Sequence, residues 1–299
     1  MPKLAIATEG LTKLYGETRG IEDLELRVEW GEVFGFLGPN GAGKTTTIRL
    51  LLDLIHPTRG RAAVAGLDTR ADSVAVRRLT GYLPGELKLP ERQSAAGFLD
   101  YLARIRGGVE PRSISELAER LGLDLSRRIG ELSKGNKEKV GVVSAFMHDP
   151  RVLVLDEPTS GLDPLRQQDV LDLIREWAAA GCCVFLSSHE LDQVEHSAQR
   201  VGIVREGKLI AVETIATLKT RAVRRVEVRL AEPTAGLDRL ADIEGVRDLS
   251  VDGLTAHLTI TGAMDELLEE MAKLPVHTLT SEPPDLDEIF LSYYGGNGD

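Results

Sequence analysis

The chain has 299 residues, 42% of them hydrophobic, and a formal charge of −11. That length and apolar content suffice for one large domain and a small one without covalent staples, and the acidic balance argues against a general nucleic-acid binder. Only two cysteines occur, Cys182 and Cys183, adjacent in an apolar run where strand neighbours point to opposite faces, so they do not bridge and the chain reads as reduced and cytoplasmic.

The start of the chain, Met1-Pro2-Lys3-Leu4-Ala5-Ile6, lacks a secretory hydrophobic region, and no apolar run approaches the roughly 18 residues of a membrane span. Residues 3–9 and 21–29 alternate apolar with polar, as half-exposed antiparallel strands do. Tyr15 stands between them, either a core anchor or a flat face on which adenine stacks.

Next comes Val33-Phe34-Gly35-Phe36-Leu37, a buried-strand pattern, followed by Gly38-Pro39-Asn40-Gly41-Ala42-Gly43-Lys44-Thr45-Thr46 and a helical pattern through Leu52. This is the phosphate-loop pattern G-x-x-x-x-G-K-[ST] in its strand–loop–helix context. The glycines let successive N–H groups converge on one anion at a helix N-terminus. Lys44 is placed to reach the outer phosphates, and the Thr45 hydroxyl to ligate Mg²⁺.

Gly60–Gly66 reads as a short strand and Gly81-Tyr82-Leu83-Pro84 as a strand end entering a loop. Residues 94–107 and 113–122 carry apolar residues at helical spacing, making a helical insert. Leu132-Ser133-Lys134-Gly135-Asn136 then breaks the pattern before a helix over roughly 136–148. Val152-Leu153-Val154-Leu155 has the continuous apolar character of a buried parallel strand and ends on Asp156-Glu157. Two carboxylates where a buried strand emerges point to metal holding by Asp156 and orientation of an attacking water by Glu157. A second buried strand, Cys183-Val184-Phe185-Leu186, delivers Ser187-Ser188-His189. Strands 33–37, 152–155 and 183–186, linked by helical stretches, are expected in one parallel sheet with the ligand at their carboxyl ends.

In this order the residues resemble the ATP-binding cassette (ABC) ATPase family over about residues 4–218. The resemblance implies a phosphate-loop α/β core with an antiparallel β subdomain and a helical subdomain at about 86–148. It implies ATP and Mg²⁺ as cofactors, Tyr15 as the adenine-stacking aromatic, Gly38–Thr46 as Walker A and Leu153–Glu157 as Walker B. Ser160-Gly161-Leu162-Asp163 is similar to the D-loop, His189 to the switch histidine at the γ-phosphate, and Leu132–Asn136 to the signature motif. In the family that motif closes over a partner subunit's ATP, so Ser133, Gly135 and Asp163 are implied to act across a head-to-tail homodimer. Glu157, His189 and Lys44 are the implied catalytic residues. The signature reads Leu-Ser-Lys-Gly-Asn rather than the commonest Leu-Ser-Gly-Gly-Gln. Where the family usually carries a glutamine after the strand ending at Pro84, Gly85 is followed by Glu86, which the resemblance offers as a substitute metal contact.

Residues 222–299 hold 6 Lys and Arg against 16 Asp and Glu, leaving 30 against 31 in residues 1–221, so a domain boundary is expected near Arg221. The tail reads as strand, helix, strand, strand, helix, strand, the β-α-β-β-α-β order of a small ferredoxin-like sandwich, with helices at 236–243 and 264–274. A terminal helix is expected from Leu286, Ile289, Phe290 and Tyr293 on one face. Such a tail resembles the ATPase subunits of type-2 ABC exporters. This implies a subunit that lies peripherally on the cytoplasmic face of the cell membrane, drives a separately encoded transmembrane permease, and has no nucleic-acid partner. The alternative is a soluble ABC ATPase acting as a clamp or regulator. The acidic balance, the absence of a long coiled coil or zinc ligands, and the single cassette stand against it.

Overall fold

A computed structural model describes residues 4–232, 237–282 and Tyr293, apart from the side chains of Asp192 and Asp238. The expected terminal helix lies outside the described residues except for Tyr293. The chain divides into two compact units, Met1–Val212 and Glu213–Asp299.

In the first unit, a six-stranded sheet has the order Lys208–Thr214, Arg200–Arg205, Val33–Leu37, Cys183–Ser188, Val152–Asp156, Thr80–Leu83. The pairings from Arg200–Arg205 through Thr80–Leu83 are all parallel. The three expected strands are therefore consecutive, and their carboxyl ends meet at one edge. Val33–Leu37 is buried on both faces, as its unbroken apolar run requires. Phe34 and Phe36 pack on Phe185, with ring centroids 6.1 and 5.3 Å away. Each such ring contributes about 1.5–3 kcal/mol by leaving water. On the opposite face Gly35 is required, since a Cβ there would stand 2.3 Å from Val194 Cγ1.

The second sheet of this unit is antiparallel. Ile6–Tyr15 pairs with Thr18–Leu24, Arg27–Val28 and Arg59–Val64, and Arg59–Val64 with Leu67–Asp68. The first strand runs on through Tyr15 rather than ending near residue 9, because register shifts between Leu11 and Leu14 absorb the break in alternation. Ile6, Val28, Phe34, Phe36, Ile48, Leu51, Val154 and Phe185 share one core. Helices Ala95–Ile105 and Pro111–Arg120 form the expected insert. Helix Lys134–Phe146 packs so closely on Thr80–Leu83 that a Cβ at Gly81 would lie 2.1 Å from Ala145 O.

The second unit has a four-stranded sheet ordered Val246–Asp252, Thr255–Thr261, Val223–Leu230, Val276–Ser281, with every neighbouring pair antiparallel. Val226, Val228, Leu258, Ile260, Leu267 and Met271 fill its core. The second expected helix is Asp265–Met271. The first is a 3₁₀ run, Leu237–Asp242, whose buried Leu237 and Leu240 are three residues apart, the spacing that a 3₁₀ turn aligns on one side.

Candidate functional site

The strand Val33–Leu37 feeds the phosphate loop, and helix Lys44–Leu51 starts from Gly43, which sits at φ 109°. The left-handed Gly43 has no room for a side chain, as a Cβ would meet Gly20 O at 2.6 Å and Ile21 Cγ2 at 2.7 Å. Gly38 N donates to Ser188 O at 3.3 Å, which ties the loop to the neighbouring parallel strand. Lys44 is 6% exposed, and its Nζ donates to Gly38 O at 2.6 Å and Pro39 O at 3.2 Å, so the ammonium is held over the loop. Burial pulls its pKa below the usual lysine range, while Glu157 and Asp156 pull it back.

Asp156 ends its strand buried, at 3% exposure. Its two oxygens are divided between two hydroxyls: Thr45 Oγ1 donates to Oδ2 at 2.9 Å and Ser187 Oγ to Oδ1. Ser187 is cross-strand partner to Asp156 in the parallel register. The sequence reading passed over Ser187, and the signal available was its place just before Ser188-His189 on a buried strand. Tyr82 lies in the same field: burial, then the Asp156 charge, push its phenol up.

Glu157 follows with φ 52°, an uncommon backbone for a side chain of that size. Its N–H donates to Ser187 O at 3.1 Å. Its Oε1 lies 3.0 Å from His189 Nδ1 and 4.0 Å from Lys44 Nζ. Lys44, Thr45, Asp156, Glu157 and His189 thus form one continuous cluster at the strand ends.

Tyr15 is 47% exposed, with Lys13 Nζ 5.2 Å from its ring centroid. A Cβ on Gly20 would lie 2.8 Å from Tyr15 Cε2 and 3.1 Å from Thr46 Cγ2. Gly20 therefore seats the ring beside the loop's last threonine, and the core-anchor alternative does not describe an aromatic this open.

Ser133, Gly135 and Asp163 belong to a second group. Ser133 Oγ caps helix Lys134–Phe146 by accepting from Asn136 N, and Asp163 caps helix Pro164–Ala179 by accepting from Arg166 N. A Cβ on Gly135 would lie 3.1 Å from Gly161 O, so the two turns pack backbone to backbone. Glu86 joins neither group: its side chain is 83% exposed and lies 3.9 Å from Lys88 Nζ. It is Gly85 that abuts the metal-type carboxylate, since a Cβ there would be 3.2 Å from Asp156 Oδ2. Among the described residues no helix is long and apolar enough to cross a membrane.

Comparison with known proteins agrees with this arrangement. The ABC transporter family profile matches residues 21–160. The bacitracin transport ATP-binding protein BcrA of Bacillus licheniformis is 33% identical over 299 residues, 97% of each chain. The daunorubicin/doxorubicin resistance ATP-binding protein DrrA of Streptomyces peucetius is 33% identical over 100% of this chain and 94% of its own. A solved ATP binding subunit of an ABC transporter superposes with a TM-score of 0.67 at 29% identity, over 72% of this chain and 92% of that one. A chain aligned end to end with transport ATP-binding proteins, and folded as their cassette around a phosphate loop, belongs to the ABC transporter family as an ATP-binding, ATP-hydrolysing subunit.

Proposed function

We propose that the chain is the ATPase of an exporter, working as a head-to-tail pair against a separately encoded membrane-spanning partner on the cytoplasmic face of the membrane. The observation that carries the chemistry is the contact of Glu157 Oε1 with His189 Nδ1 and Lys44 Nζ, beside the Thr45–Asp156 pair. Lys44 and the loop N–H groups bind the outer phosphates. Glu157 orients the attacking water and accepts its proton, and His189 holds the Glu157 carboxylate in place.

Thr45 Oγ1 and Asp156 offer two hard oxygen donors side by side, with Gly85 leaving space against the carboxylate, so this donor set fits Mg²⁺. When bound there, Mg²⁺ supplies charge neutralisation at the β- and γ-phosphates. Ser133 and Asp163 are exposed at the N-termini of two helices, which supports their action on a second chain's nucleotide. The names of the relatives, transport of bacitracin and resistance to daunorubicin and doxorubicin, support export. The tail's strand order and antiparallel pairing support a ferredoxin-like sandwich, and we assign it an accessory role.

Glu157→Gln tests the assignment. The variant is expected to bind ATP, to dimerise with it, and to hydrolyse it on the order of 10²-fold or more slowly. Brisk turnover would overturn the base role. Purification of the native chain from membranes is expected to bring down a multi-span protein in stoichiometric amount, and a wholly soluble pool bound to ribosomes or DNA would overturn the exporter reading.

A further inference from the structure

Both ring nitrogens of His189 face carboxylates of the chain itself. Nδ1 lies 3.0 Å from Glu157 Oε1, and Nε2 lies 3.6 Å from Glu190 Oε1. A half-turn of the ring would set carbons against both carboxylates, so the two contacts select one orientation. Glu190 is held for this contact by its own corner of the chain. Its N–H donates to Ser188 Oγ at 2.9 Å, and Gln193 Nε2, on the short helix Leu191–Glu195, donates to Glu190 Oε2. One carboxylate oxygen is thereby taken by Gln193 and the other is left to the imidazole. Ser188 is fully buried, and its carbonyl also accepts from Gly38 N at 3.3 Å, so the corner that carries Glu190 is fastened to the phosphate loop.

Glu157 Oε1 is shared between His189 and Lys44, whose Nζ is 4.0 Å away, so the ring stands one carboxylate from the ammonium assigned to the outer phosphates. With Nδ1 on Glu157, Nε2 is the nitrogen left for a phosphate oxygen, and Glu190 already stands there. Two anions crowd one nitrogen only against their mutual repulsion, so an arriving phosphate displaces the carboxylate. The Glu190 side chain is 54% exposed, so it can swing into water for the modest worth of an exposed ion pair. ADP ends one phosphate short and leaves Glu190 in place. The cost of moving it therefore falls on the triphosphate alone.

We propose, on the ATPase reading that puts His189 at the γ-phosphate, that Glu190 is an internal competitor for that phosphate at His189 Nε2 and so lowers the preference of the site for ATP over ADP.

The full chain tests this through displacement of a fluorescent ATP analogue by ADP and by the non-hydrolysable triphosphate AMP-PNP, each with Mg²⁺. Glu190→Gln, which removes the charge, and Glu190→Ala, which removes the contact, are each expected to tighten AMP-PNP roughly three- to fivefold with ADP at the parental affinity. His189→Ala alone is expected to weaken AMP-PNP and not ADP, and in that background the Glu190 changes are expected to alter neither. An unchanged or lower preference for AMP-PNP in both Glu190 variants would overturn the competitor role while leaving the site intact. Equal tightening of ADP, or a gain that survives His189→Ala, would mark a general charge effect and overturn it as well. If His189→Ala leaves AMP-PNP affinity at the parental value, His189 does not meet the γ-phosphate, and the reading of the site falls together with the role of Glu190.

Discussion

Thr45 and Asp156, 111 residues apart in the chain, are joined by a 2.9 Å hydrogen bond from the threonine hydroxyl to carboxylate Oδ2. Ser187 takes the other oxygen, so the plane of the carboxylate is fixed from both sides. Ser187→Ala frees that plane and leaves Oδ1 of a buried carboxylate without its donor, a loss of about 1–3 kcal/mol. The expected outcome is a higher Mg²⁺ requirement for ATP binding, about tenfold, with Mg²⁺-independent nucleotide affinity unchanged. Titration of Mn²⁺ into the ATP complex by electron paramagnetic resonance checks it, and parental metal affinity would remove Ser187 from the site.

Tyr15 offers an open ring beside Thr46 through the gap left at Gly20. Tyr15→Ala is expected to raise the dissociation constant for ATP roughly 5- to 30-fold, the worth of about 1–2 kcal/mol of stacking. Tyr15→Phe should retain the parental value. Fluorescent ATP-analogue binding decides it, and an alanine variant with unchanged affinity would return Tyr15 to the role of a surface ring.

Glu138 is buried on the helix that Ser133 caps, and burial pushes its carboxyl up to about 7 against a partial counterpull from Lys134. A raised folded-state pKa means the folded protein holds this proton more tightly than the unfolded chain. The stability gained is therefore complete below the ordinary value of 4.5 and lost as pH rises through about 7. Glu138→Gln is expected to be more stable than the parent at pH 8 by on the order of 1–3 kcal/mol, with the gap narrowing by pH 5. Urea unfolding at the two pH values measures it.

His148 gives the opposite slope. Its Nε2 accepts from Arg106 Nη1 at 2.7 Å, and burial, then that guanidinium, pull the imidazole down to about 4. The stability that the neutral ring contributes is complete above 6.5 and lost as pH falls toward 4. His148→Gln keeps an acceptor for Arg106 and removes the titration. The difference in unfolding free energy between pH 7 and pH 5 is expected to shrink by roughly 1–2 kcal/mol, and an unaltered difference would place the acid sensitivity elsewhere.

Much of the site was legible because the chemistry writes itself into short strings. The run Gly38–Thr46 needs its glycines for N–H convergence, and Asp156-Glu157 ends an apolar strand where only a task holds carboxylates. Ser187 was not legible, because its role depends on the register that sets it opposite Asp156 across two strands. The reach of the first strand to Tyr15 was hidden by bulges that interrupt its alternation. The helix expected over 236–243 has helical periodicity, but its two buried leucines are as well served by the tighter 3₁₀ turn.

The order of strands in the parallel sheet also sets a timetable for synthesis. The phosphate-loop strand Val33–Leu37 leaves the ribosome well before its two neighbours in the sheet, Cys183–Ser188 and Arg200–Arg205. Both of its hydrogen-bonding edges and the anchoring bond from Gly38 to Ser188 stay unmet until most of the first unit has emerged. A nascent or prematurely terminated chain thus carries the phosphate loop with no parallel sheet to hold it, and Asp156, Glu157 and His189 join Lys44 and Thr45 only with the later strands.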